Sequence, residues 1–232
     1  MIRVDNKQEQ KKQVGKEALK LIPDDEVIGI GTGSTVDYFI AELAAIKHKV
    51  AGVVTSSSRT TKLLEHYGFS ILEVNSVQNI AVYVDGADEI NIDGYCIKGG
   101  GGAHTREKIV AACAEKFICI VDESKLVNNL GKDFPLAIEV IPDARSYVGR
   151  ACVKLGANPV YRDGFVTDSG NIVIDVFGLD FTSLTLLSST LNNITGVVCH
   201  GLFVDEKPDL VLVGGDSRVR YTAICEAEST GE

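Results

Sequence analysis

Four short segments of the chain place glycines, hydroxyls, carboxylates and lysines at the ends of predicted strands. In the first, residues 29–35, a strand runs through glycines into a helix. This geometry points backbone N–H groups and the positive end of a helix at one spot, which suits a phosphate. The segment lacks the Gly-Lys-Ser/Thr ending of a Walker loop, and Ser34 stands where a dinucleotide fingerprint needs its third glycine. It therefore predicts a monophosphate site, with a tight turn that binds nothing as the alternative.

The second segment, residues 85–89, reads Asp-Gly-Ala-Asp-Glu and follows a strand. Open α/β sheets bind their ligands at the carboxyl ends of strands. Crowded carboxylates there can carry protons near neutral pH. They could equally hold Mg²⁺ or Ca²⁺, or form a solvated acidic turn. Spacing alone leaves these three interpretations open.

The third segment runs from Lys98 through four glycines into a helix that is predicted to begin near Thr105. Ordering consecutive glycines on folding costs backbone entropy, so a glycine run that serves only as a linker is not expected inside an ordered domain. Such a run lets several N–H groups approach a ligand, and Lys98 could stabilise a developing oxyanion. Glu107 falls in the first turn of the helix, where a helix-dipole partner is the alternative to a catalytic role.

The fourth segment, residues 122–125, again follows a strand, and Lys125 is a second candidate contact for an anion. Taken alone, a surface lysine is the simpler explanation. In a doubly wound sheet, however, loops that follow parallel strands converge on one edge. The four segments are therefore expected to form one site.

The elements that would position these segments alternate between strand and helix patterns as far as residue 131. This alternation predicts an α/β fold with a doubly wound, mostly parallel sheet. From about residue 132 to 206 the order becomes β-α-β-β-α-β, which predicts a smaller ferredoxin-like α+β domain. Residues 1–131, completed by 207–232, form the predicted catalytic domain, because a strand over 210–213 is expected to return to its sheet. The polar tail from Ser217 is expected to be frayed.

Composition and charge exclude several classes of function. The chain has 232 residues, 23 Lys and Arg, 32 Asp and Glu, and a formal net charge of −9. An acidic chain without a basic block is a poor candidate for binding nucleic acid or an anionic membrane. Its six cysteines form no C-x-x-C pair, and we interpret them as structural thiols. With no signal peptide and no long apolar run, the sequence predicts a cytoplasmic protein.

Taken together and in order, the segments resemble the type A ribose-5-phosphate isomerases. The resemblance covers nearly the whole chain and is specific because the blocks keep their order and spacing. The blocks that carry it are residues 29–35, 55–58, 83–90, 98–108, 117–125, 139–142 and 196–198.

The resemblance implies a function and a fold. The family interconverts D-ribose 5-phosphate and D-ribulose 5-phosphate, a step of the non-oxidative pentose phosphate pathway, without a metal or redox cofactor. Its fold is a Rossmann-like domain with a small ferredoxin-like domain. It also implies a small-molecule sugar phosphate as the partner and a homodimer or homotetramer as the assembly.

The same resemblance implies roles for individual residues. Glu107 would be the general base that moves a proton between C2 and C1 through a cis-enediolate. Asp85 and Asp88 would bind sugar hydroxyls, and one of them would help to move the hydroxyl proton. Lys98 and the glycine amides would stabilise the enediolate. The implied substrate-binding residues are Thr32, Gly33, Ser34, Thr35, Asp85, Gly86, Ala87, Asp88, Lys98, Gly99, Gly100, Gly101 and Lys125; no metal ligand is implied.

One departure from the family pattern and two alternative functions remain. His104 occupies a position that the family commonly fills with an apolar residue; we expect it to pack behind the glycine run without transferring protons. The alternatives are a related sugar-phosphate enzyme, such as an amino-sugar-phosphate deaminase or a CoA-transferase, and a sugar-phosphate sensor. A sensor would need an attached DNA-binding helix-turn-helix, for which the N-terminal helix leaves no room.

Overall fold

The computed structural model describes residues 3–216 and 218–224. Its α-helices are α1 (Arg3–Ala18), α2 (Ser34–Leu43), α3 (Ser58–Tyr67), α4 (His104–Cys113), α5 (Arg145–Lys154) and α6 (Leu184–Asn192). Its strands are β1 (Glu26–Ile30), β2 (Val50–Thr55), β3 (Val82–Asp85), β4 (Glu89–Ile90), β5 (Cys96–Ile97), β6 (Phe117–Asp122), β7 (Leu136–Val140), β8 (Asn158–Tyr161), β9 (Ile172–Phe177), β10 (Val197–His200), β11 (Leu202–Phe203), β12 (Leu210–Gly214) and β13 (Val219–Ala223). None of the helices in these two ranges has the length and apolar character needed to cross a membrane.

Six strands form a central sheet in the order β13-β12-β6-β3-β1-β2. All neighbours run parallel except β13, which is antiparallel to β12. The parallel strands are rich in Val and Ile, and every residue of β6 is buried, as a strand covered on both faces requires. Because β6, β3 and β1 are consecutive neighbours, the loops that follow them meet at one edge. The predicted doubly wound, mostly parallel sheet is confirmed.

Helices pack on both faces of this sheet. On one face, α1 and α2 pack against each other and against β6. The fully buried side chains of Val14 in α1, Phe39 in α2 and Ile28 in β1 belong to one hydrophobic cluster there. On the other face, α4 packs Val110 against Tyr83 of β3 and Cys119 of β6. This packing sets the first turn of α4 beside the carboxyl ends of β3 and β6.

A second sheet has the order β10-β7-β9-β8 and is antiparallel throughout. Its elements follow one another as β7-α5-β8-β9-α6-β10, the predicted β-α-β-β-α-β sequence. Val148 of α5 and Leu191 of α6 are fully buried against Ile138 of β7. A small sheet, β11-β5-β4, links the chain after this unit to the segment that carries Lys98. The domain boundaries at 131/132 and 206/207 stay a prediction.

The expectation of a frayed tail from Ser217 is wrong for residues 219–223. These residues form β13, which pairs with β12 from Val219 opposite Gly214 to Ala223 opposite Leu210. Val219 and Thr222 are half-buried and the other three residues of the strand are exposed, as expected at the edge of a sheet. Ser217 itself and residues 225–232 lie outside the described residues.

Candidate active site

A cavity of about 540 Å³ opens at the carboxyl edge of the central sheet. It brings together nearly all of the side chains and glycines that the sequence singled out. Those that line it are Thr32, Gly33, Ser34, Thr35, Gly86, Ala87, Asp88, Lys98, Gly99, Gly100, Gly101, Glu107 and Lys125. Asp85 lies behind the wall and does not line the cavity.

Glu107 lies in the first turn of α4 and is only 4% exposed. Its Oε2 atom is 3.3 Å from Nζ of Lys98. Burial raises the pKa of Glu107 to about 8, although the Lys98 ammonium opposes the shift and the negative charges of Asp85 and Asp88 add to it. A carboxyl group with this pKa can both take and return a proton near neutral pH.

Lys98 follows β5 directly and is 3% exposed. Its Nζ donates to Oδ2 of Asp85 at 2.8 Å and to the carbonyl oxygen of Gly86. Burial alone would lower the pKa of Lys98, but the carboxylates of Asp85 and Glu107 outweigh burial and raise the pKa above its ordinary value. The site therefore holds a fixed positive charge next to Glu107.

Asp85 ends β3 and has no exposed surface. Its Oδ1 accepts the backbone N–H of Thr32 at 3.0 Å and that of Gly86 at 2.7 Å. Its Oδ2 accepts the Tyr83 hydroxyl and the Lys98 ammonium. The four donors saturate the carboxylate, which ties the loop after β1 to the end of β3.

The loop after β1 must pass very close to this carboxylate. A Cβ atom on Gly31 would overlap the side chain of Asp85. A glycine at this position is therefore required by the close approach, quite apart from any ligand.

The glycine run forms a turn closed by a hydrogen bond of 2.9 Å from the Gly102 amide to the Gly99 carbonyl. Gly99 and Gly102 have φ values of +106° and +72°, a region in which a side chain would be strained. The amide of Gly100 donates to Oδ2 of Asp88 at 2.8 Å. Gly101 lines the cavity, with open space where a Cβ would stand.

The other end of the cavity has the character of an anion site. Gly33 precedes α2 with a φ of +113°, and Ser34 and Thr35, the first two residues of the helix, line the cavity. The positive end of the helix therefore lies beside the cavity. Lys11 of α1 donates to Oγ of Ser34 at 2.8 Å. Lys125, in the loop after β6, adds a second lysine to the lining.

Comparison with known proteins decides the family. A family model for ribose 5-phosphate isomerase A (phosphoriboisomerase A) matches residues 52–218. Ribose-5-phosphate isomerase A of Legionella pneumophila (strain Corby) is 57% identical over 211 residues, which cover 91% of this chain and 97% of that protein. The chain belongs to the ribose 5-phosphate isomerase A family. The resemblance drawn from the sequence is thereby confirmed.

Solved structures of this family share the whole fold. Ribose 5-phosphate isomerase A from Neisseria gonorrhoeae has a TM-score of 0.92 and 41% identity, and the match covers 95% of this chain and 98% of that one. A D-ribose-5-phosphate isomerase in complex with phospho-erythronic acid has a TM-score of 0.89 and 38% identity, over 94% and 99% of the two chains.

Several lining residues were not named as site residues from the sequence: Lys11, Ser57, Arg59, Gly102, Ala103, Phe165, Val166 and Asp168. Three of them belong to residues 163–170 between β8 and β9, which we call the strap. Oδ2 of Asp168 accepts the backbone N–H of Ser58 at 2.7 Å, and Arg106 donates to the Asp168 carbonyl at 2.6 Å. The strap therefore bridges α3 and α4. Its sequence is rich in turn residues and carries no catalytic or ligand-binding motif, so sequence reasoning did not find it.

The three carboxylates of residues 85–89 point in different directions. Asp85 is saturated within the wall, and Asp88 reaches the glycine turn. Oε2 of Glu89 accepts the backbone N–H of Gly131 at 2.7 Å, away from the cavity. Within residues 3–216 and 218–224, no group of three or more His, Cys, Asp or Glu side chains is arranged to hold a metal ion.

His104, the departure from the family pattern, is fully buried at the start of α4. Burial lowers its pKa to about 3, and the positive charge of Lys108 adds to the shift. Its Nδ1 lies 2.8 Å from the point where a Cβ on Gly99 would stand, so the ring packs directly behind the glycine turn. The imidazole is therefore neutral at any pH near 7.

Proposed function

We propose that the chain isomerises D-ribose 5-phosphate and D-ribulose 5-phosphate through a cis-enediolate, with Glu107 as the general base. The Glu107 carboxylate takes the proton from C2 of the open-chain aldose, and the C2–H electron pair forms the C1–C2 double bond. Negative charge then develops on O1. Glu107, now a neutral acid, returns its proton to C1, while the proton on O2 is transferred to O1. The net change is a C2-to-C1 and an O2-to-O1 proton shift, with no external oxidant or reductant.

The substrate would lie with its phosphate at the start of α2. The amides of Ser34 and Thr35 and the lysines Lys11 and Lys125 supply donors and positive charge there. The carbonyl end of the open-chain sugar would then lie beside Glu107, Lys98 and the glycine turn. Preorganised donors of this kind act where negative charge develops.

We assign different tasks to the two aspartates. Asp88 lines the cavity and would bind the sugar hydroxyls and move the hydroxyl proton. Asp85 already accepts four hydrogen bonds, which supports a role in holding Lys98 and the loop after β1. A direct contact of Asp85 with a sugar hydroxyl would require one of these bonds to break.

One observation carries the proposal. The buried carboxyl group of Glu107, whose pKa is raised, lies 3.3 Å from the buried ammonium group of Lys98, next to the glycine turn. Proton abstraction next to a carbonyl needs such a base and such an electrophile. The phospho-erythronic acid bound by the relative carries a planar carboxylate in place of an enediolate. We expect the same compound to bind in this cavity.

The test is conversion of ribose 5-phosphate by the parent, Glu107→Gln and Glu115→Gln. Glu115 is an exposed residue just after α4, so its change is the matched control. We expect Glu107→Gln to lose the activity by about 1,000-fold or more while still binding phospho-erythronate. A Glu107→Gln protein that turns over like the Glu115→Gln control would disprove the role of Glu107.

We further propose that the protein works in the cytoplasm as a homodimer or homotetramer. The five cysteines within the described residues are free thiols, which is typical of a reducing compartment. Ten of the fourteen large apolar side chains exposed in the described residues lie within 132–206, where we place the contact between subunits. Sedimentation analysis checks the assembly, and a monomer at micromolar concentration would contradict it.

A further inference from the structure

Arg162, the residue after β8, joins the second sheet to the glycine turn. Its two terminal nitrogens donate to the carbonyl oxygens of Gly99 and Gly100, both at 3.2 Å. It does not line the cavity. The sequence marks it only as the end of a strand.

These two hydrogen bonds fix the orientation of two peptide groups, the one between Gly99 and Gly100 and the one between Gly100 and Gly101. The described peptide bonds are all trans, and in a planar trans peptide the C=O and N–H groups point in opposite directions. Holding the Gly99 and Gly100 carbonyls toward Arg162 therefore directs the amides of Gly100 and Gly101 away from it. Gly100 donates to Asp88, and Gly101 is exposed in the cavity lining.

The guanidinium is itself held rigidly. Its Nε is 2.9 Å from Oδ2 of Asp175, and a terminal nitrogen is 2.5 Å from Oδ1, a bidentate ion pair on β9. The group also lies 5.1 Å from the ring centroid of Phe165, and that ring fills the space where a Cβ on Gly102 would stand. A bidentate pair fixes orientation in a way that the single ammonium of a lysine does not.

We propose that Arg162 is a positioning residue for the isomerase reaction: it holds the Gly101 amide toward the oxygen on which the enediolate charge develops, and the Gly100 amide toward Asp88. Four consecutive glycines would otherwise sample many conformations. Backbone N–H groups that are not held in one orientation stabilise a transition state less well. Its positive charge also polarises both peptide groups, which strengthens their N–H donors. The inference rests on the proposed function.

The test compares Arg162→Met with Arg150→Met, a change at an exposed arginine of α5. We expect Arg162→Met to lower kcat about 10- to 100-fold with KM for ribose 5-phosphate changed less than about threefold, because the phosphate end is untouched. Affinity for phospho-erythronate should fall by a similar factor. Affinity for inorganic phosphate should stay at the parent's value.

Two results would overturn the proposal. One is an Arg162→Met protein with the parent's kcat and phospho-erythronate affinity. The other is an equal loss of affinity for phospho-erythronate and phosphate, which would mean that the whole cavity has collapsed. If Arg162→Met fails to fold, Asp175→Asn removes the ion pair but keeps the arginine, and the same selective loss is expected. A parent without isomerase activity would refute the proposed function, while the two binding measurements would still decide the role of Arg162.

Discussion

Oε2 of Glu107 lies 3.3 Å from Nζ of Lys98, and the two residues are only 4% and 3% exposed. This pair sets a proton acceptor and a fixed positive charge side by side, out of contact with bulk water. Burial makes the charged form of Glu107 costly, and Lys98 offsets only part of that cost. The result is a carboxyl group suited to moving protons at neutral pH.

The pH dependence of the reaction should report Glu107. Because burial raises the pKa of Glu107 to about 8, the carboxylate form needed to take the C2 proton is in the minority at pH 7 and grows as pH rises. We expect kcat/KM to increase with pH and to level off above about 8. Rates are best measured above pH 7, since a phosphate monoester titrates near about 6. A flat profile between about pH 7 and 9 would contradict the assignment.

The two aspartates should respond differently to the same change. Asp85→Asn removes the charge that faces buried Lys98, and we expect it to lower the free energy of unfolding by about 3–5 kcal/mol. Asp88→Asn changes a half-buried residue of the cavity wall, and we expect a loss of only about 1 kcal/mol. It should nevertheless lower kcat/KM about 100-fold. Urea denaturation and initial rates separate the two effects, and equal stability of both variants would refute the division of roles.

Lys11 offers a test of the anion site. Removing its ammonium from beside Ser34 should raise KM for ribose 5-phosphate about tenfold or more, because a charge-assisted contact is lost, with little change in kcat. Lys11→Met is therefore compared with Lys12→Met, whose ammonium lies 5.9 Å from the Tyr38 ring centroid. If both variants keep the parent's KM, Lys11 does not contact the phosphate.

His104→Leu should leave the pH–rate profile unchanged. Burial lowers the pKa of His104 to about 3, so the ring is neutral throughout the range in which the enzyme is assayed. Leucine is similar in size, and we expect a stability change below about 1.5 kcal/mol. A shift or loss of the rising limb of the profile would show that His104 takes part in proton transfer.

Local patterns in the sequence predicted the helices and strands of the central α/β unit well. Val36, Phe39, Ile40 and Leu43 recur at helical spacing, and all four are fully buried in α2. The convergence of segments far apart in the chain followed from the rule that loops after parallel strands share an edge. The predicted residues meet there because β1, β3 and β6 are neighbours.

Contacts between distant segments set the limits of sequence reasoning. Asp85 and Asp88 are equivalent in a sequence pattern, yet the backbone turns one into the wall and the other toward the glycine turn. Lys11 is an ordinary lysine on a polar helix, and only the packing of α1 brings it to Ser34. The tail was expected to fray because it is polar, but the edge of the central sheet supplies backbone partners for β13. None of these outcomes depends on local propensity.

The most direct test of the mechanism is proton NMR of ribose 5-phosphate with the purified protein in D₂O and EDTA. Proton transfer through an enediolate with Glu107 as base predicts that ribulose 5-phosphate forms, that deuterium enters at the reacting carbons, and that Glu107→Gln abolishes both changes. Tight binding without conversion would contradict the proposed isomerase reaction. Conversion that EDTA abolishes would mean that a metal ion takes the part assigned here to Lys98 and the glycine amides.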